Sequence, residues 1–187
     1  PDGGFTMNAI LDLGRVRSRR GRFRESVLVL EKAYENRVRV VGPQDRGTYS
    51  VRLLLLNALV GLGNFERARE IEEELVAGFG EKKNERLKLP AMRPRAVLAM
   101  EQGRAADALK IVDEAQALWA ANPQSPGPAN YQLLLTRAET LAALGRNSAA
   151  REALDAALPL LDQFDKDPEK GDRQYEQLTR ARIELAE

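Results

Sequence analysis

The stretch Gly21-Arg-Phe-Arg-Glu-Ser26 decides the fold, because it recurs three times along the chain. The recurrences are Gly63-Asn-Phe-Glu-Arg-Ala68, Gly103-Arg-Ala-Ala-Asp-Ala108 and Gly145-Arg-Asn-Ser-Ala-Ala150. Their first glycines are 42, 40 and 42 residues apart. A fixed period of this size is the signature of a repeat array, in which each repeat is one supersecondary unit.

Small residues keep fixed distances from these glycines. Five residues after each glycine stands Ser or Ala. Seven residues before it, three of the four repeats have a small residue: Gly14, Ala96 and Ala138. Twelve residues after it, three again have Ala, and the fourth has Leu: Ala33, Leu75, Ala115 and Ala157. Because Gly adopts a left-handed conformation without steric cost, each glycine marks the end of a helix where the chain reverses. The small residues then predict a close crossing of two antiparallel helices. The alternative is an irregular helical bundle whose glycines are evenly spaced by accident, and the matched small residues on both sides disfavour it.

Apolar residues at helical spacing and loop breakers give the helix boundaries. Stripes such as Tyr131, Leu134, Leu135 and Ala138 have the helical period. Val41-Gly42-Pro43 and similar Gly- and Pro-containing segments separate the repeats. We predict an all-α fold, a right-handed solenoid of antiparallel helix pairs, at 5–20/23–40, 47–61/65–79, 90–102/105–121 and 129–144/147–165.

The pattern extends over the whole chain, so residues 1–187 are predicted to form a single domain. The repeats are placed at about 5–42, 47–82, 87–124 and 129–167, followed by a capping helix at 172–187. Leu135-Thr-Arg-Ala138 recurs as Leu178-Thr-Arg-Ala181, which makes the last helix an echo of the repeat. Its mostly polar outer face suits the end of an array. The chain lacks a starting methionine and an equally polar first helix, so we expect further sequence upstream.

The glycine and the small residues five and twelve positions later resemble the tetratricopeptide repeat. The units here are longer than the usual 34 residues. This lengthening, with Val-Gly-Pro-Gln-Asp at 41–45, resembles the long repeat of kinesin light chains. The resemblance implies a protein-binding scaffold, and such arrays occur in C-terminal regions of bacterial Ser/Thr protein kinases and transcription regulators.

Composition argues against an enzyme. The chain has no cysteine and no histidine, which removes thiolate nucleophiles, Cys-based zinc sites and the usual general base near neutral pH. It also has no phosphate-binding loop, dinucleotide fingerprint or nucleophile elbow. We therefore predict no catalytic residues, no bound metal and no cofactor. No apolar run is long enough to span a membrane, and we predict a cytoplasmic protein.

The resemblance implies a binding groove lined by the first helix of each pair. By offset from the glycines, the predicted groove residues are Asn8, Leu11, Arg15, Leu53, Asn57, Arg93, Val97, Met100, Gln132, Leu135 and Glu139. Long apolar side chains can anchor a peptide, and amide or guanidinium groups can bind its backbone. The alternative for each residue is packing beneath the next repeat.

Two prolines disturb the third repeat. Pro90 and Pro94 fall where its first helix is expected to begin. An interior proline removes a backbone hydrogen bond and clashes with the preceding turn. We therefore expect this helix to start late or to kink near Arg93. A shortened helix would also widen the groove there.

Basic and acidic side chains are concentrated in two runs. Six arginines occur within ten residues, at Arg15, Arg17, Arg19, Arg20, Arg22 and Arg24. From Arg17 onward they are predicted to form a basic patch at one end of the array. This patch is either a solvated surface or a contact for an acidic protein, an adjacent domain or phosphates. Nucleic acid is the weakest of these alternatives, because no run of aromatic residues accompanies the arginines. The acidic run Glu70, Glu72, Glu73 and Glu74 is predicted to lie on the outer face of its helix, and Trp119 to pack between repeats.

The leading functional prediction is a scaffold that binds a protein or peptide, as part of a larger bacterial signalling protein such as a Ser/Thr kinase. The alternative is an oligomerisation or intramolecular docking domain that uses the Arg-rich end, where Leu11, Leu13 or Val16 would be covered by another repeat, another domain or a second copy.

Overall fold

The computed structural model describes residues 4–78, 85–121 and 129–164, together with 177, 179–181 and 184. The first three ranges form eight helices: α1 (Gly4–Arg19), α2 (Phe23–Val41), α3 (Arg46–Leu62), α4 (Phe65–Val76), α5 (Glu85–Glu101), α6 (Ala105–Ala120), α7 (Ala129–Ala143) and α8 (Asn147–Phe164). The predicted all-α fold of helix pairs is confirmed for these residues. Every boundary lies within three residues of its predicted position, except the start of α5.

The chain divides into two compact units, Pro1–Pro94 and Arg95–Glu187. The single domain expected over 1–187 stays a prediction. Most of the predicted capping helix at 172–187 lies outside the described residues, as do the connections at 79–84 and 122–128. The described part of that last segment is helical.

The helices of each pair are joined by the same glycine turn. Gly63 has a φ of 77°, in the left-handed region. Its N–H donates to the carbonyl of Val60 (3.1 Å), and the N–H of Asn64 donates to that of Leu59 (3.0 Å). These are the two hydrogen bonds of a Schellman cap. The same pair of bonds recurs at Gly21, Gly103 and Gly145, whose φ values are 70–72°, so the predicted reversal at all four glycines is confirmed.

Beyond each turn the two helices approach closely at the predicted small residues. Ser26, Ala68, Ala108 and Ala150 all have 0% exposure. In the first pair, a Cβ built on Gly14 would lie 2.6 Å from Leu30 Cδ2. The Ser26 hydroxyl donates to the Gly14 carbonyl at 2.7 Å and lies 2.8 Å from the Ser18 hydroxyl. The backbone of α1 therefore lies directly against α2.

We expect Gly14→Ala to lower the free energy of unfolding by about 1–3 kcal/mol, because the new methyl group overpacks against Leu30. This exceeds the gain of up to ~1 kcal/mol in helix propensity. Urea unfolding measures the difference. In a Leu30→Ala background the same change fills space and should be neutral or stabilising. Equal effects in both backgrounds would contradict a close crossing at Gly14.

The connection between the first two pairs, residues 42–45, is held by side chains of α2 and α3. Asp45 caps α3, since its Oδ1 accepts from the N–H groups of Gly47 (2.8 Å) and Thr48 (3.2 Å). The same oxygen accepts from Arg37 Nη2 at 2.5 Å. This hydrogen bond from Arg37 is the main cause that lowers the pKa of Asp45, despite partial burial. The Thr48 hydroxyl also donates to the carbonyl of Gly42 at 2.9 Å.

A buried guanidinium joins this connection to three helices. Arg52 of α3 is 3% exposed, and its Nη1 donates to the carbonyl of Pro43 at 2.8 Å. Its Nε donates to Glu74 of α4 at 3.0 Å. The guanidinium carbon lies 5.5 Å from the ring centroid of Tyr34 and 4.9 Å from that of Tyr49, within the range of cation–π attraction. Arg52 thus connects α2, α3 and α4 through one charged group.

The hydroxyl groups of the two tyrosines complete the network. Tyr34 donates to Glu74, and Tyr49 donates to Gln44 Oε1 at 2.6 Å. Burial, followed by the hydrogen bond to Glu74, raises the pKa of Tyr34. The ring of Tyr49 lies against Gly78, where a Cβ would come within 2.1 Å of it. A side chain larger than hydrogen therefore has no room at Gly78 beside this ring.

We expect the contribution of Asp45 to the free energy of unfolding to vary with pH. Its folded pKa lies below the value of 3.8 for a free side chain, so the contribution is complete above that value and is lost as pH falls through the folded pKa. Asp45→Ala should cost about 1–2 kcal/mol near neutral pH through loss of the cap. Asp45→Asn keeps a capping oxygen and should cost less.

Urea unfolding of the wild type and Asp45→Asn over a range of acidic pH tests the charge itself. The difference in stability between the two proteins should shrink as pH falls below about 4. A difference that stays constant down to pH values near 2 would show that the charge of Asp45 does not stabilise the fold.

In the second unit, α7 and α8 enclose a compact apolar core. Its buried members are Tyr131, Leu135, Ala138, Leu141, Ala150, Ala153, Leu154, Ala157 and Leu161, with Leu109 of α6 packed against it. Successive first helices make corresponding contacts. The hydroxyl of Thr140 in α7 donates to the Met100 sulfur of α5 at 3.0 Å. The hydroxyl of Thr179 in the last segment donates to Glu139 of α7 at 3.3 Å. Both bonds span 40 residues, which supports the predicted echo of the repeat in that segment.

Of the two alternatives expected for the third pair, the late start is wrong, and the kink near Arg93 stays a prediction. Helix α5 begins at Glu85 and includes both Pro90 and Pro94. Ala91 and Met92 between the prolines are 0% and 2% exposed. Burial of these two apolar side chains offsets the free-energy cost of the backbone hydrogen bonds that the prolines cannot donate. The shortened helix that would have widened the groove near Arg93 is therefore absent from the described chain.

We expect Pro90→Ala to stabilise the protein, because Pro90 is exposed and its replacement restores a backbone donor inside α5. The gain should reach up to about 3 kcal/mol, measured by thermal or urea unfolding. Pro94→Ala is the matched control, since Pro94 is buried and its loss also removes packing. A Pro90→Ala variant no more stable than the wild type would contradict an uninterrupted α5.

Candidate partner-binding surfaces

Five of the predicted groove residues lie on α1 and α3, which pack against each other in the first unit. On α1, Asn8 and Arg15 are exposed and Leu11 is half-buried. On α3, Leu53 and Asn57 are half-buried. Residues three, four or seven positions apart share a helix face, so each helix presents its candidates as one stripe. We call these five residues the α1/α3 surface.

Local contacts orient the polar groups of the α1/α3 surface. Asn57 Nδ2 donates to the carbonyl of Leu53 at 2.8 Å, and its Oδ1 makes no hydrogen bond to a described residue. Arg15 forms an ion pair with Asp12 at 2.7 Å, and both side chains are at least half exposed. The surface therefore offers an oriented amide oxygen, two apolar side chains and a solvent-screened charge.

The other predicted groove residues differ in their accessibility. Arg93, Val97, Met100 and Gln132 are half-buried, and Met100 accepts the hydrogen bond from Thr140. Leu135 has 0% exposure and belongs to the α7/α8 core, so its side chain packs and does not line a surface. The half-buried Glu139 bonds to Thr179 of the last segment. In the second unit, several side chains that were predicted to line a groove, from their distance to the glycines, thus make packing contacts or hydrogen bonds instead.

The predicted basic patch contains two kinds of arginine. Arg17 donates to the Glu25 carbonyl at 3.3 Å and lies 3.7 Å from its carboxylate. Arg22 makes two hydrogen bonds of 2.6 Å to the same carboxylate. Arg19, Arg20 and Arg24 are exposed, and none forms an ion pair with a described residue. Within the patch, the arginines without a carboxylate partner in the described ranges are therefore these three.

Apolar side chains are also exposed near the patch. Leu13 and Val16 of α1 are 43% and 45% exposed. The one nearby aromatic residue, Phe23, is half-buried with its ring against Gly61, where a Cβ would come within 2.4 Å of it. Near the patch, the side chains that the structure describes include no exposed aromatic ring on which the bases of a single-stranded nucleic acid could stack.

The acidic run of α4 is only partly an outer face. Glu70 and Glu73 are exposed as predicted. The prediction is wrong for Glu74, which accepts from Arg52 and Tyr34 in the buried network. Neither Arg52 nor its tyrosine partners were predicted from the sequence. Tyr49 is one turn from Arg52 on α3, but Tyr34 and Glu74 are 18 and 22 residues away along the chain, so no pattern within one helix connects them to Arg52. Trp119 is half-buried, and its packing role stays a prediction.

Surface depressions in the described chain do not resemble small-molecule sites. One of about 330 Å³ is lined by Arg151, Leu154, Asp155, Arg180 and Glu184. Another of about 380 Å³ is lined by charged side chains of α4. Ligand pockets are concave and mostly apolar. Among the described residues, no three acidic side chains are grouped to hold a metal ion, and no helix has the length and apolar character of a membrane span.

Comparisons with known proteins agree with the helix-pair architecture. Two solved structures share it over 97% of this chain, and both contain nearly identical TPR-like repeats assigned to a kinesin light chain of Podosopora anserina. One, a single-substitution variant, has a TM-score of 0.67 and 19% identity, with 86% of its own chain covered. The other has a TM-score of 0.65 and 16% identity, with 94% covered. At these identities the likeness shows the fold alone, and it confirms the predicted TPR-like solenoid class.

The family is shown by the sequence itself. No curated protein matches the chain. The tetratricopeptide repeat model, however, matches residues 11–83 and 93–169, which include all four glycine turns and most of the eight helices. The chain belongs to the tetratricopeptide repeat family.

Proposed function

We propose that the chain recruits a protein or peptide to the α1/α3 surface. Tetratricopeptide repeats generally mediate protein–protein interaction. The observation that carries the specific proposal is the oriented amide of Asn57, one helical turn from the half-buried Leu53. Their helix, α3, packs against α1, which carries the half-buried Leu11. An apolar anchor can pack on the leucines while the Asn57 oxygen accepts a backbone N–H of the bound segment.

We propose the same role, each within its own unit, for the other partly accessible candidates: Arg93 in the first unit, and Val97, Met100 and Gln132 in the second. The proposal does not extend to Leu135, whose side chain is fully buried. We also propose that the chain acts in the cytoplasm, within a larger bacterial signalling protein such as a Ser/Thr kinase. The resemblance to arrays found in such proteins supports this context.

We expect Asn57→Ala to weaken peptide binding about tenfold, because loss of one well-placed hydrogen bond to a bound segment costs about 1–1.5 kcal/mol. Peptides selected from a random phage-displayed library against the 187-residue chain provide the probe. Isothermal calorimetry then measures their affinity for the wild type and the variant. Arg93→Ala should also weaken any peptide long enough to reach α5.

Ser148→Ala is the matched control, since Ser148 is an exposed polar residue on α8, the second helix of its pair. It should bind the selected peptides as the wild type does. If Asn57→Ala and Arg93→Ala both keep full affinity while substitutions at Arg19 and Arg20 abolish binding, the α1/α3 surface is not the site.

The second candidate function is oligomerisation or intramolecular docking through the Arg-rich end. The exposed Leu13 and Val16 favour it, because contiguous apolar exposure beside charged residues is typical of interaction sites. We do not propose nucleic-acid binding. Arg15, Arg17 and Arg22 are already paired with carboxylates. Phe23, the aromatic residue nearest to the remaining arginines in the sequence, is half-buried.

A further inference from the structure

One stripe of α1 is accessible along three turns of the helix. Ala9, Leu13 and Val16 follow one another at spacings of four and three residues, so they share a face. Arg20 continues this spacing in the turn directly after the last helical residue, and its N–H donates to the Val16 carbonyl at 3.1 Å. All four are exposed. The opposite face carries the buried Met7 and Gly14 and packs on α2. We call these four residues the α1 outer stripe, which is about 17 Å long at the rise of an α-helix.

The described part of the chain does not neutralise the charge at the end of this stripe. Between residues 12 and 25 there are six arginines and only two carboxylates, Asp12 and Glu25. Asp12 pairs with Arg15, and Glu25 pairs with both Arg17 and Arg22. Arg19, Arg20 and Arg24 are left exposed and form no ion pair with a described residue. The apolar part of the stripe therefore ends in a local excess of positive charge.

We propose that the α1 outer stripe docks an acidic amphipathic helix of a partner protein. This inference rests on the protein-binding role proposed above but concerns a different face of α1. Leu13 and Val16 would pack against the apolar face of the partner helix, as the side-chain ridges of one helix fit into the grooves of another. Its carboxylates would pair with Arg19, Arg20 and Arg24. Phosphate alone does not explain this surface, since it gains nothing from the two apolar side chains.

A second copy of the chain does not supply this helix from α4, its most acidic helix. The apolar side chains Ile71 and Leu75 of α4 have 0% exposure. Its exposed carboxylates are interrupted by basic side chains, and Glu70 already pairs with Arg67 at 2.5 Å. The acidic face of α4 therefore presents no apolar seam that could cover Leu13 and Val16.

A designed peptide tests the proposal directly. The probe is a fluorescein-labelled peptide of three heptads with Leu at positions a and d and Glu elsewhere, whose own charge repulsion opposes self-pairing. Fluorescence anisotropy with the 187-residue chain should show saturable binding. The same peptide with Lys in place of Glu should not bind.

Two double variants test the charged part and the apolar part of the α1 outer stripe separately. Arg19→Glu/Arg20→Glu and Leu13→Ser/Val16→Ser should each weaken binding of the acidic peptide at least about tenfold. All four side chains are exposed, so neither variant removes core packing. The matched control is Arg46→Glu, an exposed arginine at the start of α3 that forms no ion pair with a described residue. It should leave the affinity unchanged.

The proposal is wrong if the acidic peptide does not bind or if the Lys peptide binds equally well. It is also wrong if Arg46→Glu weakens binding as much as the arginine double variant does. Sedimentation of the chain alone, if it shows self-association that Leu13→Ser/Val16→Ser abolishes, would assign the stripe to a second copy instead. Asn57→Ala should not affect this peptide, so failure here and failure of the α1/α3 surface are distinguishable.

Discussion

Close approach of two helix backbones is the constraint on which each repeat depends. At the first crossing, Leu30 of α2 occupies the space that a side chain on Gly14 of α1 would need. The Ser26 hydroxyl donates a hydrogen bond to the Gly14 carbonyl, which adds to the hydrogen bonds within the helix. Ala at the corresponding positions of later repeats is equally buried. Small residues at a crossing bring many apolar side chains on either side into contact, and dispersion and burial then stabilise the pair.

The second pair departs from this arrangement and compensates with polar contacts. Leu56 and Leu75 stand where the other repeats have small residues, and both are fully buried. Beside them, Arg52 connects α2, α3 and α4 through Tyr34, Glu74 and the carbonyl of Pro43. A buried charge is costly unless it is paired and hydrogen-bonded. Here the carboxylate, the carbonyl and two aromatic faces satisfy the guanidinium, and they fix the connection between the first two repeats.

Charge pairing also separates the two candidate surfaces. The α1/α3 surface has an amide and apolar side chains, and its one arginine is paired with Asp12. The α1 outer stripe ends beside three arginines that have no carboxylate partner among the described residues. A segment held by backbone hydrogen bonds suits the first surface, whereas an acidic helix suits the second. One helix, α1, therefore presents two chemically different faces besides the one that packs on α2.

The sequence by itself determined the repeat, the glycine turns and nearly every helix boundary. Those features follow from local rules: a left-handed residue at Gly21 or Gly63 needs no side chain, and a helical apolar stripe needs only its period. The basic character of the N-terminal end was also readable, since it depends on composition alone.

Tertiary structure decided which of these side chains remain available. Leu135 and Glu139 occupy offsets expected for a groove, yet Leu135 lies in the core and Glu139 bonds to Thr179. Helix α5 continues through Pro90, and the adjacent Ala91 and Met92 are buried. Arg52 finds its partners at Tyr34 and Glu74, which are 18 and 22 residues away along the chain. Burial and ion pairing depend on residues that the packing of separate helices brings together. The periodic pattern within one helix therefore does not predict them.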